Sequence, residues 1–121
     1  MTPREVIAQA DAIKPNAFTE AEKLRWLGEL EGRIAADVFL LSAAELRQLA
    51  FAYPDAMDKE LLVQWPHNDI YELWLLAKID FGNAEYDKYQ NTMQAYNESF
   101  VNFTNWFVRT YAPAQGWRGA R

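Results

Sequence analysis

The feature that most constrains this chain is an apolar stripe near its C-terminal end, in which successive members are three or four residues apart. The stripe consists of Tyr86, Tyr89, Met93, Tyr96, Phe100, Phe103 and Phe107. Steps of three and four place every member on one face of an α-helix, because a helix has 3.6 residues per turn. The stripe therefore predicts a helix over 84–111, of about 28 residues or ~42 Å.

The same spacing suits either an intermolecular coiled coil or the core of a single domain. The positions beside the stripe are polar and uncharged: Gln90, Thr92, Asn97, Ser99 and Thr104. A coiled coil usually selects its partner with charges at such positions, and an aromatic seam is too bulky for a closely spaced two-stranded zipper. We therefore predict that the stripe is core, packed against Leu27, Ile34, Leu73 and Ala77.

Three helix starts share one signature, a hydroxyl residue followed three positions later by glutamate. The pairs are Thr2 and Glu5, Thr19 and Glu22, and Ser42 and Glu45. In such a capping box the hydroxyl accepts from an unpaired amide of the first turn, and the glutamate accepts from the amide of the capping residue. These starts predict helices over 3–13, 20–41 and 42–53. Pro15 ends the first and Pro54 the third, and the apolar 3/4 repeat carries the second to Leu41.

The remaining segments predict one more helix and one irregular region. Pro66 begins a helix over 66–81 that is apolar on most sides and therefore mostly buried. Residues 55–65 have no clear period, and 60–63 are expected to lie extended against the core. Gly82 and Asn83 then separate two helices, with glycine in the left-handed cap of one and asparagine capping the next.

A second, smooth face on the helix over 20–41 is formed by Gly28, Gly32 and Ala36. Glycine inside a helix costs about 1 kcal/mol relative to alanine, which favours a close helix crossing at this face to offset the cost. Packing inside the domain is the preferred interpretation, and contact with a neighbouring copy stays open.

These patterns predict an all-α fold, a small helical bundle of four to five helices with a long aromatic-seamed C-terminal helix. Residues 1–111 form the single helical domain, and 112–121 a flexible C-terminal tail. The tail sequence APAQGWRGAR has no period, and its lone Trp117 fits either an exposed tail or a docking segment.

Charge and composition exclude several classes of function. The net charge of −5 argues against sequence-specific or bulk binding of nucleic acid. Residues 1–98 carry a net −8 and residues 99–121 a net +3. A solvated basic tail is the preferred interpretation of this division, and head-to-tail contact between copies of the chain stays open. Cysteine is absent, apolar runs are too short to cross a membrane, and the first residues lack the layout of a signal peptide, so we expect a cytoplasmic protein.

The sequence offers no set of residues suited to catalysis, to a cofactor or to a metal. His67 is the only histidine, and its ring is expected to hydrogen-bond near the helix end or to pack beside Trp65. Glu72 and Asp80 are expected to form structural ion pairs with Lys78 or Lys88. No phosphate-binding, dinucleotide-binding or nucleophile motif is found, so we expect no enzyme.

Two segments resemble a known family. They are KLRWLGELEGRIAADVFLL and ELLVQWPHNDIYELWLLAKIDFGNAEYDKYQNTMQAYNESFVNFTNWFVRTY, with the WPHNDIY and AEYDKYQNT runs the most telling. Over roughly 24–41 and 60–111 the chain is similar to head–tail connector (adaptor, or head-completion) proteins of tailed phages and prophages. The resemblance implies a small helical bundle, without catalytic residues, that forms a ring beneath the portal and joins head to tail.

The resemblance also implies where partners would bind. Connector subunits contact their neighbours and the portal or other head and tail proteins through loops and a C-terminal segment, here 54–65 and 112–121. Arg109, Trp117, Arg118 and Arg121 are the predicted interface residues, and the virion is the implied location. A prophage-encoded helical interaction or regulatory module outside the virion is the alternative.

Overall fold

Five α-helices follow one another along residues 1–49 and 52–111, which are the residues that the computed structural model describes. They are α1 (Pro3–Ile13), α2 (Glu20–Arg33), α3 (Ala43–Gln48), α4 (Asp69–Gly82) and α5 (Tyr86–Tyr111). A π-helical stretch, Ile34–Val38, continues α2, and a 3₁₀ turn, Asp55–Asp58, lies between α3 and α4. No strand occurs in the described residues, so the predicted all-α class is confirmed.

All three predicted capping boxes are present. In each, the hydroxyl accepts a hydrogen bond from the backbone amide of the glutamate, and the glutamate accepts from the amide of the capping residue. The first of these return bonds, from the Thr2 amide to Glu5 Oε1, is 2.8 Å long. Because each glutamate receives such bonds, their pKa values are lowered. The predicted starts of α1, α2 and α3 are therefore correct within one residue.

The second helix ends earlier than the predicted Leu41. The Phe39 amide reaches back five residues to the Ile34 carbonyl, and the Leu41 amide reaches back six to Ala35. Leu40 sits between them with a φ of 58°, in the left-handed region. These long hydrogen bonds turn the chain back at the end of the helix around a left-handed residue, although the sequence offers no glycine there.

Two other predicted boundaries are also wrong. The third helix ends at Gln48 rather than near Tyr53, because the Leu49 amide donates to the Leu46 carbonyl and tightens the last turn. The fourth begins at Asp69 rather than at Pro66. The His67 amide bonds to the Gln64 carbonyl, so the proline belongs to a separate turn before the helix.

The break between α4 and α5 lies where it was predicted, but other residues make it. Ala84, with a φ of 58°, takes the left-handed position expected for glycine. The Ala84 amide donates to Phe81 and the Glu85 amide to Asp80, the two bonds of a Schellman motif. Gly82 is instead the last residue of α4, where a Cβ atom would lie 2.4 Å from Cζ of Phe18. Its small size admits the Phe18 ring.

The core is centred on α4, which α1, α2 and α5 surround. Its buried apolar residues include Val6, Ile7 and Ala10 of α1, Leu24, Leu27 and Leu30 of α2, and Ile70, Tyr71, Trp74, Leu75, Leu76 and Ile79 of α4. The irregular segment adds Leu61 and Val63, which are buried as expected for a stretch that lies against the core. Trp74 also donates from Nε1 to the Trp26 carbonyl at 2.8 Å, which ties α4 to α2.

The aromatic stripe of α5 is less buried than predicted. Only Tyr96 and Phe103 are buried, whereas Tyr89, Met93, Phe100 and Phe107 are half-buried. Tyr86 is exposed and contacts Phe81 edge to face. The reason is that α5 packs mainly on α4, so the stripe is covered chiefly by one neighbouring helix.

The predicted close crossing at the glycine face is wrong at Gly32. This residue is exposed, and a Cβ atom added to it would meet nothing within 4 Å. The glycine face therefore points outward there and does not serve internal packing.

Candidate functional site

The most suggestive surface of the described chain is an aromatic groove of about 310 Å³ at the C-terminal end of α5. It is lined by Phe39, Leu62, Val63, Gln64, Phe103, Trp106, Phe107 and Tyr111. We call these eight residues the aromatic groove. Its polar groups are the Gln64 amide, the Trp106 indole N–H and the Tyr111 hydroxyl, and no carboxylate, histidine, lysine or cysteine lines it.

Three separate parts of the chain build the groove. The last three turns of α5 supply Phe103, Trp106, Phe107 and Tyr111, which share a side because they are three or four residues apart. Phe39, at the end of the π-helical stretch, approaches Phe107 with ring centroids 5.0 Å apart. The irregular segment before α4 supplies the remaining wall, which consists of Leu62, Val63 and Gln64.

A buried polar network holds that irregular segment in place. Glu31 Oε2 accepts from the Leu62 amide at 2.8 Å, and Glu31 Oε1 accepts from the Tyr71 hydroxyl at 2.6 Å. The Tyr71 oxygen in turn accepts from the Val63 amide at 2.9 Å. The network thus joins α2 and α4 to the two backbone amides beside the groove.

Burial governs the electrostatics of this network. It raises the pKa of Glu31, against hydrogen bonds from Tyr71 and Leu62 that favour the carboxylate. Burial and the adjacent carboxylate of Glu31 both raise the pKa of Tyr71, so the hydroxyl stays protonated and donates. Glu31 has no cationic partner among the described residues, and its charge depends on hydrogen bonds alone.

His67 belongs to the surroundings of the groove. Its ring lies 4.8 Å from that of Trp106 and 6.0 Å from that of Phe103, centroid to centroid. The ring therefore packs against α5, whereas the sequence suggested Trp65 as its neighbour. Trp65 is 83% exposed and does not line the groove.

The structure shows where one of the four predicted interface residues lies. Arg109 is exposed in the last turn of α5, three residues after Trp106, and does not line the groove. Trp117, Arg118 and Arg121 lie outside the described residues, as does the whole predicted tail over 112–121.

Buried Asp80 forms a structural ion pair, as predicted, but with a different cation. Lys14 pairs with its Oδ2 atom, and the Thr92 hydroxyl donates to the same oxygen at 3.0 Å. Lys78 pairs instead with Glu29, at 3.3 Å, and Lys88 with Glu85, at 2.8 Å. The Asp80 pair joins the end of α1 to α4 and α5, so its role is structural.

Neither a metal site nor a membrane-spanning helix is found in the described part of the chain. No three histidine, cysteine, aspartate or glutamate residues of 1–49 and 52–111 come together as metal ligands would. None of the helices in these ranges is long and apolar enough to cross a bilayer.

Sequence patterns did not reveal the groove, because its walls come from segments far apart in the chain. Trp106 and Tyr111 fall beside or beyond the regular stripe, and Phe39 lies more than sixty residues away. The one available signal was the density of aromatic residues from Phe100 to Tyr111. Comparisons of the chain with protein-family models, with curated proteins and with solved structures find no match.

Proposed function

We propose that this protein is a structural subunit of a phage or prophage head–tail connector, and that it has no catalytic activity. The motivation is the resemblance over roughly 24–41 and 60–111, together with an all-α bundle of the expected kind. The observation that carries the proposal is the aromatic groove. It lies beside Tyr111, where the chain continues into 112–121.

The character of the groove supports protein binding rather than catalysis. Tryptophan, tyrosine and phenylalanine are enriched where proteins meet, and a few buried anchors supply most of the binding energy. At about 310 Å³ the groove is at the lower end of small-molecule sites, which span roughly 300–1,000 Å³. One aromatic anchor with its neighbours is the kind of ligand that such a volume admits.

The proposed occupant is the segment 112–121 of a neighbouring copy. Trp117 is six residues beyond Tyr111, so an extended chain carries it up to about 20 Å from the helix end. Ordering such a segment costs about 1–2 kcal/mol per residue, which requires an anchor such as a buried tryptophan. The net charge of −8 over 1–98 attracts the basic segment, and Arg118 and Arg121 would add charge-assisted hydrogen bonds.

Removing the segment tests the proposal. The full chain, a chain ending at Tyr111 and a Trp117→Ala variant are compared by sedimentation over a wide concentration range and in a head-completion complementation assay. We expect both variants to keep the melting temperature of the full chain and to lose both ring-sized assemblies and head completion. Trp106→Ala, in the groove, should lose assembly in the same way.

Trp65→Ala is the matched control, because Trp65 is exposed and lies outside the groove. It should leave assembly unchanged, and a loss there would move the contact to the loop from Asp55 to Trp65. Unfolding of the truncated chain would make the segment part of the core. A full chain that stays monomeric and completes no heads would overturn the connector and favour the interaction module outside a virion.

A further inference from the structure

The outward face of α5 carries few charges for an exposed surface. Of the twenty residues between Lys88 and Arg109 only Glu98 is charged, whereas 24% of the whole chain is. The exposed positions of this stretch hold amides instead: Gln90, Asn91, Gln94, Asn97, Asn102 and Asn105. Val101 and Val108 are also more than half exposed among them. Depletion of charge marks the centre of protein interfaces more reliably than apolar character does.

The three charges at the ends and the middle of this face are regularly placed. Asp87, Glu98 and Arg109 are eleven residues apart, close to three helical turns, so all three lie on the outward side of α5. Asp87 and Arg109 are therefore separated by about 33 Å along the axis, with Glu98 midway. None of the three forms an ion pair within the described residues.

We propose that a second copy of this chain docks on this face, with the two α5 helices antiparallel and a twofold axis at Glu98. In that register Asp87 of each copy faces Arg109 of the other, which forms two equivalent ion pairs. A parallel arrangement would oppose Asp87 to Asp87 and align the helix dipoles unfavourably. The inference is independent of the proposed connector function.

The amides of the face also suit self-association in this register. Asn91 comes opposite Asn105 of the second copy, and Gln94 opposite Asn102. Each amide group both donates and accepts hydrogen bonds, so such pairs satisfy one another in either orientation. Val101 comes opposite the small Ala95 of the second copy, which lets the backbones approach. A twofold contact of this kind is self-complementary by construction.

The size of the face sets the strength of the contact. A helix of 26 residues is about 39 Å long and about 10 Å wide, so the pair buries less than the roughly 1,200–2,000 Å² of a standard interface. The two Glu98 carboxylates near the axis repel each other and weaken it further. The expected dimer is weak and depends on concentration, which leaves it displaceable by a tighter partner.

Site-specific cross-linking tests the register, because the chain has no cysteine of its own. Single cysteines are introduced into the full chain as Glu98→Cys, Asp87→Cys and Arg109→Cys, and bridged with a short bis-maleimide. Glu98→Cys should give a covalent dimer, and the other two alone should not. A mixture of Asp87→Cys and Arg109→Cys chains should again cross-link. Bridging of Asp87→Cys with itself would overturn the antiparallel register.

Charge exchange tests the two ion pairs by sedimentation equilibrium of the full chain. Asp87→Arg and Arg109→Asp should each weaken the dimer about tenfold, since each turns two attractions into repulsions, and the double exchange should restore it to within about threefold. Glu98→Gln should strengthen it several-fold. Arg25→Asp, at an exposed position on α2, is the control and should leave it unchanged. A monomer at millimolar concentration, or a double exchange as weak as either single one, would refute the proposal.

Discussion

Helices α4 and α5 lie side by side and are both rich in apolar residues, yet they play different parts in the molecule. Of the 14 residues of α4 eight are buried, and of the 26 of α5 only two. The helix with the cleaner 3/4 period is the more exposed one, because a regular stripe gives a helix one inward side and leaves the others free. The helix that is apolar on most sides is the centre of the bundle. Periodicity thus indicates which side faces inward and does not measure how deeply it is buried.

The largest expected effect breaks the core at α4. Leu75 is fully buried, so Leu75→Ala should lower the free energy of unfolding by about 2–5 kcal/mol, through lost burial and a residual cavity. Val101→Ala on the outward face of α5 is the control and should change it by less than about 0.5 kcal/mol. Urea unfolding at low protein concentration measures both. Equal losses would mean that the two helices are equally buried in solution.

The half-buried part of the α5 stripe should lie between these extremes. Truncation of a fully buried phenylalanine ring to alanine costs about 3–5 kcal/mol. Since Phe100 is half-buried at the edge of the core and its ring contacts are with Tyr96 and Phe103 of its own helix, we expect about 1–2 kcal/mol for Phe100→Ala. Phe103→Ala should still cost about 3–5 kcal/mol, because that ring is fully buried. The same urea experiment measures both variants. A larger loss for Phe100→Ala than for Phe103→Ala would mean that Phe100 is the more deeply buried ring in solution.

A pH series tests the buried contact between α4 and Glu31, whose carboxylate accepts a hydrogen bond from Tyr71 of α4. Burial raises the pKa of Glu31 in the folded state above its unfolded value, so the folded state binds the proton more tightly. The stability that Glu31 contributes is therefore complete below the unfolded pKa and is lost as pH rises through the folded one. In that window the slope is at most about 1.4 kcal/mol per pH unit for one proton.

Glu31→Gln should remove this slope, since the amide does not titrate. Unfolding free energies of the variant and the native chain are measured between pH 4 and 8 and subtracted. The subtraction cancels the opposite contribution of the capping glutamates, whose pKa values are lowered. A difference that stays constant with pH would show that the carboxylate of Glu31 is not desolvated in solution.

How much of this could be read from the sequence depends on whether the signal is local. The three capping boxes were predicted correctly because each is complete within four residues. Helix ends were predicted less well, since Leu40 and Ala84 adopt a left-handed conformation that is usually taken by glycine. The aromatic groove was missed because distant segments build it, and the network of Glu31 and Tyr71 that holds its wall spans forty residues.

The smallest expected effect concerns two glycines. Gly32 of α2 faces open space, whereas Gly82 of α4 packs against Phe18. At Gly32 a methyl group meets open space, so Gly32→Ala should stabilise the domain by up to about 1 kcal/mol through helix propensity. At Gly82, the last residue of α4, the same methyl would lie 2.4 Å from the Phe18 ring, which must then leave its edge contact with Trp26. Gly82→Ala should therefore show no gain and a net loss of about 1 kcal/mol. Thermal unfolding of the two variants under identical conditions decides the matter, because the substitution is the same and only the surroundings differ.

A lower melting temperature for Gly32→Ala would mean that the glycine face of α2 is covered in solution. If the cover is a second molecule and not residues 112–121 of the same chain, the loss should grow with protein concentration.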